Sequence, residues 1–206
     1  MIASRKTSLL KEIDFTQEVT LLIAATLEAF DQGYRTTQSR REDPISRQLV
    51  FALLRLQSCD GWEWFADYVI NGQRDELDAG LETHLGRTDI TFDLGSHHRF
   101  IWECKRLHFN GKTLYGEYRK EGVARFISEK YAKGHDHGGM LGFVMDGEIG
   151  KAVSGIANHL AGHRAELEIE GKCFQPCIEP RDSRLRLSFH FSERRFKLFH
   201  CFLLYE

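Results

Sequence analysis

What the chain is short of narrows the field first. Only 3 of its 206 residues are proline, and no stretch is rich in proline, glycine and serine together, so nothing marks a linker or a disordered arm. No unit recurs at a fixed period, which excludes a solenoid. Apolar runs such as LLIAATLEAF are broken by polar residues well before the ~20 residues a membrane helix needs. The opening MIASRKTSLLKEIDF lacks the long apolar core and small-residue cleavage site of a secretory signal. The cysteines, Cys59, Cys104, Cys173, Cys177 and Cys201, are odd in number and scattered, which suits free thiols in a reducing compartment better than a disulfide framework. A cytoplasmic protein with no membrane association is the expectation. Also missing are a Walker-type glycine loop, a serine nucleophile elbow, a helix-turn-helix and a zinc finger.

Charge of one sign is scarce overall, since the net is −2, but its distribution is uneven. There are 10 basic and 16 acidic residues up to position 98, and 18 basic against 14 acidic beyond it. From Lys105 to Lys133 eight basic residues face three acidic ones. A local basic face of this kind can hold phosphates whatever the total charge, although solvated helix surfaces carry similar runs.

What is present reads as one domain over 1–206, with 42% apolar residues to build a core and residues 1–40 as a helical N-terminal extension. Val19, Leu22, Ile23, Thr26 and Phe30 recur at helical spacing, and Ile45, Leu49, Ala52, Leu53 and Leu56 do so after Pro44. A strand is expected around Phe65 to Ile70, then a polar loop, then TDITFDL and FIWECK as a hairpin. Val123, Phe126, Ile127 and Tyr131 form a helical stripe from Arg119 onward, GGMLGFVMDG is a buried strand, GKAVSGIANHLAGHRAEL a helix, and RLRLSFHF with FKLFHCFLLYE a closing hairpin. The order α-α-β-β-β-α-β-α-β-β predicts an α/β fold, or α+β, with a mixed central sheet flanked by helices.

The strand FIWECK poses the functional question, because it places two opposite charges in an apolar run, and charges are rarely buried unless paired or functional. With the turn centred near His97, Asp89 lies across from Lys105 and Thr91 across from Glu103, so the charged side chains share one face. Trp102 and Cys104 then point to the other face with Ile90 and Phe92. Two carboxylates held close repel each other, and a hard divalent cation such as Mg2+ between them turns that repulsion to use. A cation there polarises a phosphodiester and helps ionise a water, while the nearby ammonium steadies the water or the developing charge. An ion-paired structural hairpin is the alternative.

At these residues the chain resembles the PD-(D/E)xK nucleases. Asp89 precedes the turn, Glu103-Cys104-Lys105 supplies the tripeptide with thirteen residues between the two acids, and Thr88 stands where the family's name has proline. The likeness runs from about residue 40 to residue 206. It implies a restriction-endonuclease-like core and Mg2+, with Mn2+ as a substitute, held by Asp89 and Glu103 and aided by Lys105. It also implies a further acid from a helix ahead of the sheet. Glu42 fits, with Asp43 behind it, although a helix N-terminus attracts an acid in any case. Arg119, Lys120 and Arg125, with Arg106 and Lys112, become candidate phosphate contacts. The implied partner is nucleic acid, DNA being favoured, and small bacterial members suggest defence against foreign DNA, alone, as a homo-oligomer or with a protein partner. The rival is a subunit of the same fold that binds nucleic acid or protein without cleaving. The histidines of GSHHR (His97, His98) and HDHGG (His135, His137) lack zinc spacing and read as solvated loop residues. His190 and His200 face each other if the last turn is centred at Arg195.

Overall fold

Two helices lead into a seven-stranded mixed sheet in the computed structural model, which describes residues 15–33, 42–77, 84–95, 98–108, 112–177, 181–191 and 195–205. Helices α1 (Phe15–Gly33) and α2 (Glu42–Leu56) come first, then a 3-10 turn (Glu63–Asp67) and the strands β1 (Val69–Leu77), β2 (His84–Leu94) and β3 (His98–His108). Helix α3 (Lys112–Tyr118) continues through a π turn (Arg119–Val123) into α4 (Ala124–Ile127). Strand β4 (His137–Asp146), helix α5 (Ile149–Ala161) and strands β5 (Ile169–Pro176), β6 (Leu185–Phe191) and β7 (Arg195–Leu204) complete the chain. The sheet order is β1-β2-β3-β4-β7-β6-β5, with β4 parallel to both β3 and β7 and every other pair antiparallel. This is an α/β architecture. Among the described residues no helix is long and apolar enough to cross a membrane.

Alternation along the central strands sorts their side chains into two cores. Phe100, Trp102 and Cys104 of β3, with Ile90 and Phe92 of β2, face α1 and α2. Ile101 and Leu107 of β3, with Met140 and Val144 of β4, face Tyr118, Val123, Phe126 and Ile156 on the opposite side. α1 is bound into the first core: Thr26 Oγ1 accepts from Trp102 Nε1 at 3.1 Å and donates to Leu22 O at 2.8 Å. The glycines of GGMLGF let these layers close, since a Cβ on Gly139 would overlap the Trp102 ring.

Several elements depart from expectation. Of the strand expected around Phe65 to Ile70, only Val69 and Ile70 are strand; the aromatic part before them is the 3-10 turn, where Trp62, Trp64, Phe65 and Tyr68 pack on one another, and β1 runs on into the polar stretch to Leu77. β5 was not expected, because its residues are mostly exposed or half-exposed on the sheet's edge and show no apolar alternation. Helix α5 stops at Ala161, with Gly162 as its cap, instead of running to residue 167. Of the expected N-terminal extension, residues 1–14 and 34–40 lie outside the described residues.

In the last hairpin His190 is opposite Phe196 and Phe191 opposite Arg195, so the turn is centred two residues before Arg195 and His190 does not face His200. Ser188 joins them instead. All four side chains of the chain Tyr118–His200–Ser188–His190 are fully buried, and the Leu167 carbonyl at its end fixes the direction of every proton. That carbonyl can only accept, so His190 Nδ1–H donates to it (2.6 Å). His190 Nε2 then accepts from the Ser188 hydroxyl (2.7 Å), Ser188 Oγ accepts from His200 Nε2–H (2.8 Å), and His200 Nδ1 accepts from Tyr118 O–H (2.8 Å). Both imidazoles are neutral in this arrangement, and burial holds both below the ordinary histidine range. Replacing Ser188 with Ala orphans two buried nitrogens, each costing about 1–3 kcal/mol. The urea midpoint of Ser188→Ala is therefore expected to fall well below that of Ser154→Ala, which alters only an exposed hydroxyl; equal midpoints would dismiss the relay as a stabilising element.

Candidate active site where two strands part

β2 and β3 pair from Leu94 and His98 as far as Ile90 and Trp102. Beyond that point β2 continues alongside β1 while β3 continues alongside β4. The β2-facing edge of β3 is thereby opened, and its amide donors must find other acceptors. Two carboxylates supply them. Asp89 Oδ2 accepts from the Cys104 N–H at 2.8 Å, and Glu42 Oε2, from the first turn of α2, accepts from the Arg106 N–H at 3.1 Å.

Between those two amides the Lys105 side chain is almost fully buried. Its Nζ donates to Glu103 Oε1 at 2.7 Å, to Cys104 O at 2.8 Å and to Glu42 Oε1 at 3.4 Å. Three donors meet three acceptors, which is the full capacity of an ammonium. Glu103 is not so well served, because Oε2 is buried without a hydrogen-bond partner among the described residues. The π turn lies close over this carboxylate: a Cβ on Gly122 would be 4.0 Å from Glu103 Cγ and in collision with the Met140 side chain.

Three acids therefore share one ammonium, and Asp89 and Glu103 hold their protons tightly. Burial, with Glu42 and Asp43 adding to it, pushes Asp89 up to about 6 against the pull of Lys105 and the Cys104 N–H. Burial and then the Asp89 charge push Glu103 up to about 8, although Lys105 opposes both. Burial alone would lower Lys105, but the fields of Glu103, Glu42 and Asp89 outweigh it and raise the group above the ordinary lysine range. Lys105 is thus a fixed cation at neutral pH.

Asp89, Glu103, Lys105 and Glu42 converge, but not through the expected register. Leu94 faces His98, so the hairpin is centred at position 96, and Thr91 lies opposite Ile101 instead of Glu103. Gly95 in a left-handed conformation (φ 64°) makes the short turn possible. A slip of two residues keeps every side chain on its face, which is why the charges still meet. The basic residues scatter. Arg119 is buried and its guanidinium pairs with Glu166, Arg125 is half-buried against Glu121 and Tyr131, Lys120 is exposed, and Arg106 is half-buried with its amide on Glu42. The side chain of Lys112 lies outside the described residues, as does His97. His98 is exposed at the start of β3 and bonds Glu18 Oε2 at 3.1 Å, whereas His137 is buried at the start of β4 against Phe100 and is not a solvated loop residue. Sequence analysis singles out neither the amides of Cys104 and Arg106 nor Gln73, whose β1 neighbours Gly72 and Arg74 pair with Ile90 and Thr88 on either side of Asp89. No residue pattern marks a backbone donor, and Gln73 falls in a stretch read as loop.

A hard cation suits this donor set within limits. The unpartnered Glu103 oxygen and the excess of carboxylates over ammonium invite positive charge, whereas Glu42 spends both oxygens on Lys105 and Arg106. Among the described residues no group of three or more His, Cys, Asp or Glu side chains is placed to hold a metal ion. Asp89 and Glu103 alone meet the requirement of Mg2+, which keeps several waters and takes one or two carboxylates. Compared with known proteins, the chain matches no family model, no curated protein and no solved structure.

The raised acids set a pH dependence with a definite sign. The folded chain keeps protons on Asp89 and Glu103 that the unfolded chain releases near 4, so this cluster's contribution to stability is complete below about pH 4 and is lost as pH climbs toward 8. In divalent-free buffer the melting temperature of wild type is expected to fall faster between pH 5 and pH 8 than that of Glu103→Gln, and the rise caused by added Mg2+ is expected to be larger at pH 8 than at pH 6 because cation and proton compete. Parallel pH profiles for the two proteins would show that Glu103 does not titrate in this range.

Proposed function

We propose that the chain is a divalent-cation-dependent nuclease of the PD-(D/E)xK type that hydrolyses nucleic-acid phosphodiester bonds, with DNA the favoured substrate. The observation that carries this reading is the meeting of Asp89, Glu103 and Lys105, with Glu42, at the one place where β2 and β3 separate. The order of elements supports it: a helix, an antiparallel three-strand meander, a helix and a strand parallel to β3 fit a restriction-endonuclease-like core.

Each residue has a task that its surroundings allow. Asp89 and Glu103 offer the oxygens for Mg2+ or Mn2+. When bound, such an ion supplies Lewis acidity toward a phosphodiester oxygen and toward water. Lys105 does not serve as a base, since the surrounding carboxylates keep it protonated. It acts as a preorganised positive charge toward a phosphate held by the cation. Glu42 fixes the ammonium from one side and the Arg106 amide from the other, so it orients the Lys105 stem. The rival reading, a subunit that binds nucleic acid or protein without cleaving, draws support from the thin basic face, where Arg119 and Arg125 are committed to Glu166 and Glu121.

Purified protein incubated with duplex DNA, single-stranded DNA and RNA, with and without Mg2+ or Mn2+, separates the two. Wild type is expected to cleave at least one of them only with a cation present. Lys105→Ala should retain cation binding and lose roughly 10²-fold or more in rate, the scale for one preorganised donor, while Glu103→Gln should lose cation affinity and rate together. Cleavage by both variants at the wild-type rate would refute the assignment, and binding without cleavage of any substrate would favour the rival.

A further inference from the structure

Gln73 lies in β1 between Gly72, which pairs with Ile90, and Arg74, which pairs with Thr88, so its neighbours bracket Asp89 although Gln73 itself makes no ladder pair there. Its backbone is left-handed, with φ 55°, in the middle of a strand, a conformation that a residue with a side chain rarely adopts. The preceding Gly72 would take it freely, yet the left-handed conformation falls on the glutamine. Strain borne by a side-chain residue next to a free alternative is the kind found where that side chain has a role. The carboxamide nitrogen is buried and has no hydrogen-bond partner among the described residues. Across the strand, Asp89 receives the Cys104 amide on Oδ2. An unused donor thus lies beside the strand position of an acid that takes a single backbone donor, the Cys104 amide.

We propose that Gln73 is a positioning residue of this site: its carboxamide, unbonded among the described residues, turns to donate to the Asp89 carboxylate and holds it aimed at the cation. The inference rests on the cation-site reading given above and extends it to the sheet's edge strand. Glutamine suits the task because it donates without adding charge to a cluster that already holds three acids. A lysine there would compete with the cation, and a carboxylic acid would add to the repulsion.

Two variants separate the carboxamide from the backbone. Gln73→Met keeps the length of the side chain and its backbone strain while removing the donor; Gln73→Gly removes the donor and relieves the strain, since glycine accepts positive φ. Mn2+ binding is measured by titration calorimetry at pH 8, with melting temperature as the check on folding. Both variants are expected to bind Mn2+ about 10- to 100-fold more weakly than wild type, the usual effect of removing a partner of a metal ligand, with the melting temperature of Gln73→Gly equal to wild type or higher. Weak binding by a protein at least as stable as wild type is not explained by a structural role. Wild-type Mn2+ affinity in either variant would overturn the proposal. If wild type binds Mn2+ and cleaves no nucleic acid, the nuclease reading fails while the Gln73 role is still decided by the titration; if wild type binds no Mn2+, both the cation site and this role fall.

Discussion

The separation of β2 from β3 at Asp89 is the constraint on which the rest depends. A sheet that stayed closed here would satisfy the Cys104 and Arg106 amides with strand partners and leave no room for side chains from a helix. Because the strands part, two buried-edge amides need acceptors, and unmet they would cost about 1–3 kcal/mol each. Asp89 and Glu42 meet that demand at 2.8 and 3.1 Å. The chain therefore gathers acids from β2 and α2 for backbone reasons, and the chemistry follows from what else those acids must do.

What they must do is coexist with Lys105 and Glu103 out of water. A buried ion pair seldom improves stability, because desolvation offsets much of the attraction, and here the balance is one ammonium to three carboxyl groups. Burial first, and then the neighbouring acids, push both Asp89 and Glu103 above the usual carboxylate range. Apolar residues would fill this space at less cost. Strained or under-satisfied groups gathered in one place are a mark of function in general, and Glu103 Oε2 and the left-handed Gln73 lie in the same stretch of the sheet.

How much of this was legible in the sequence depends on the range of the interaction. Alternation in TDITFDL and FIWECK sorted Ile90, Phe92, Trp102 and Cys104 from Thr91 and Glu103, because strand periodicity is local and both faces are buried. The convergence of Asp89, Glu103 and Lys105 followed from that alternation and survived a wrong turn centre, since an even slip preserves faces. Edge strands were not legible: β1 beyond Ile70 and β5 carry polar residues that read as loop, and only their neighbours make them strands. Long-range pairings were equally silent. Arg119 meets Glu166 from 47 positions away, so a residue that looks like part of a basic helix face is spent inside the protein. Ser188 links His190 to His200 through a register that the sequence of the turn does not specify.

The opened edge of β3 has a consequence apart from catalysis. A strand with free amides is a template onto which another chain can add, and proteins guard such edges with charge or cover. Here the guard is internal: the donors at Cys104 and Arg106 are already occupied by carboxylates, and a buried lysine stands between them. A foreign strand would have to evict Asp89 and Glu42 and strip Lys105 of its partners before its first ladder bond could form. The same hydrogen bonds that assemble the charged cluster thus keep this edge from becoming a seed for aggregation.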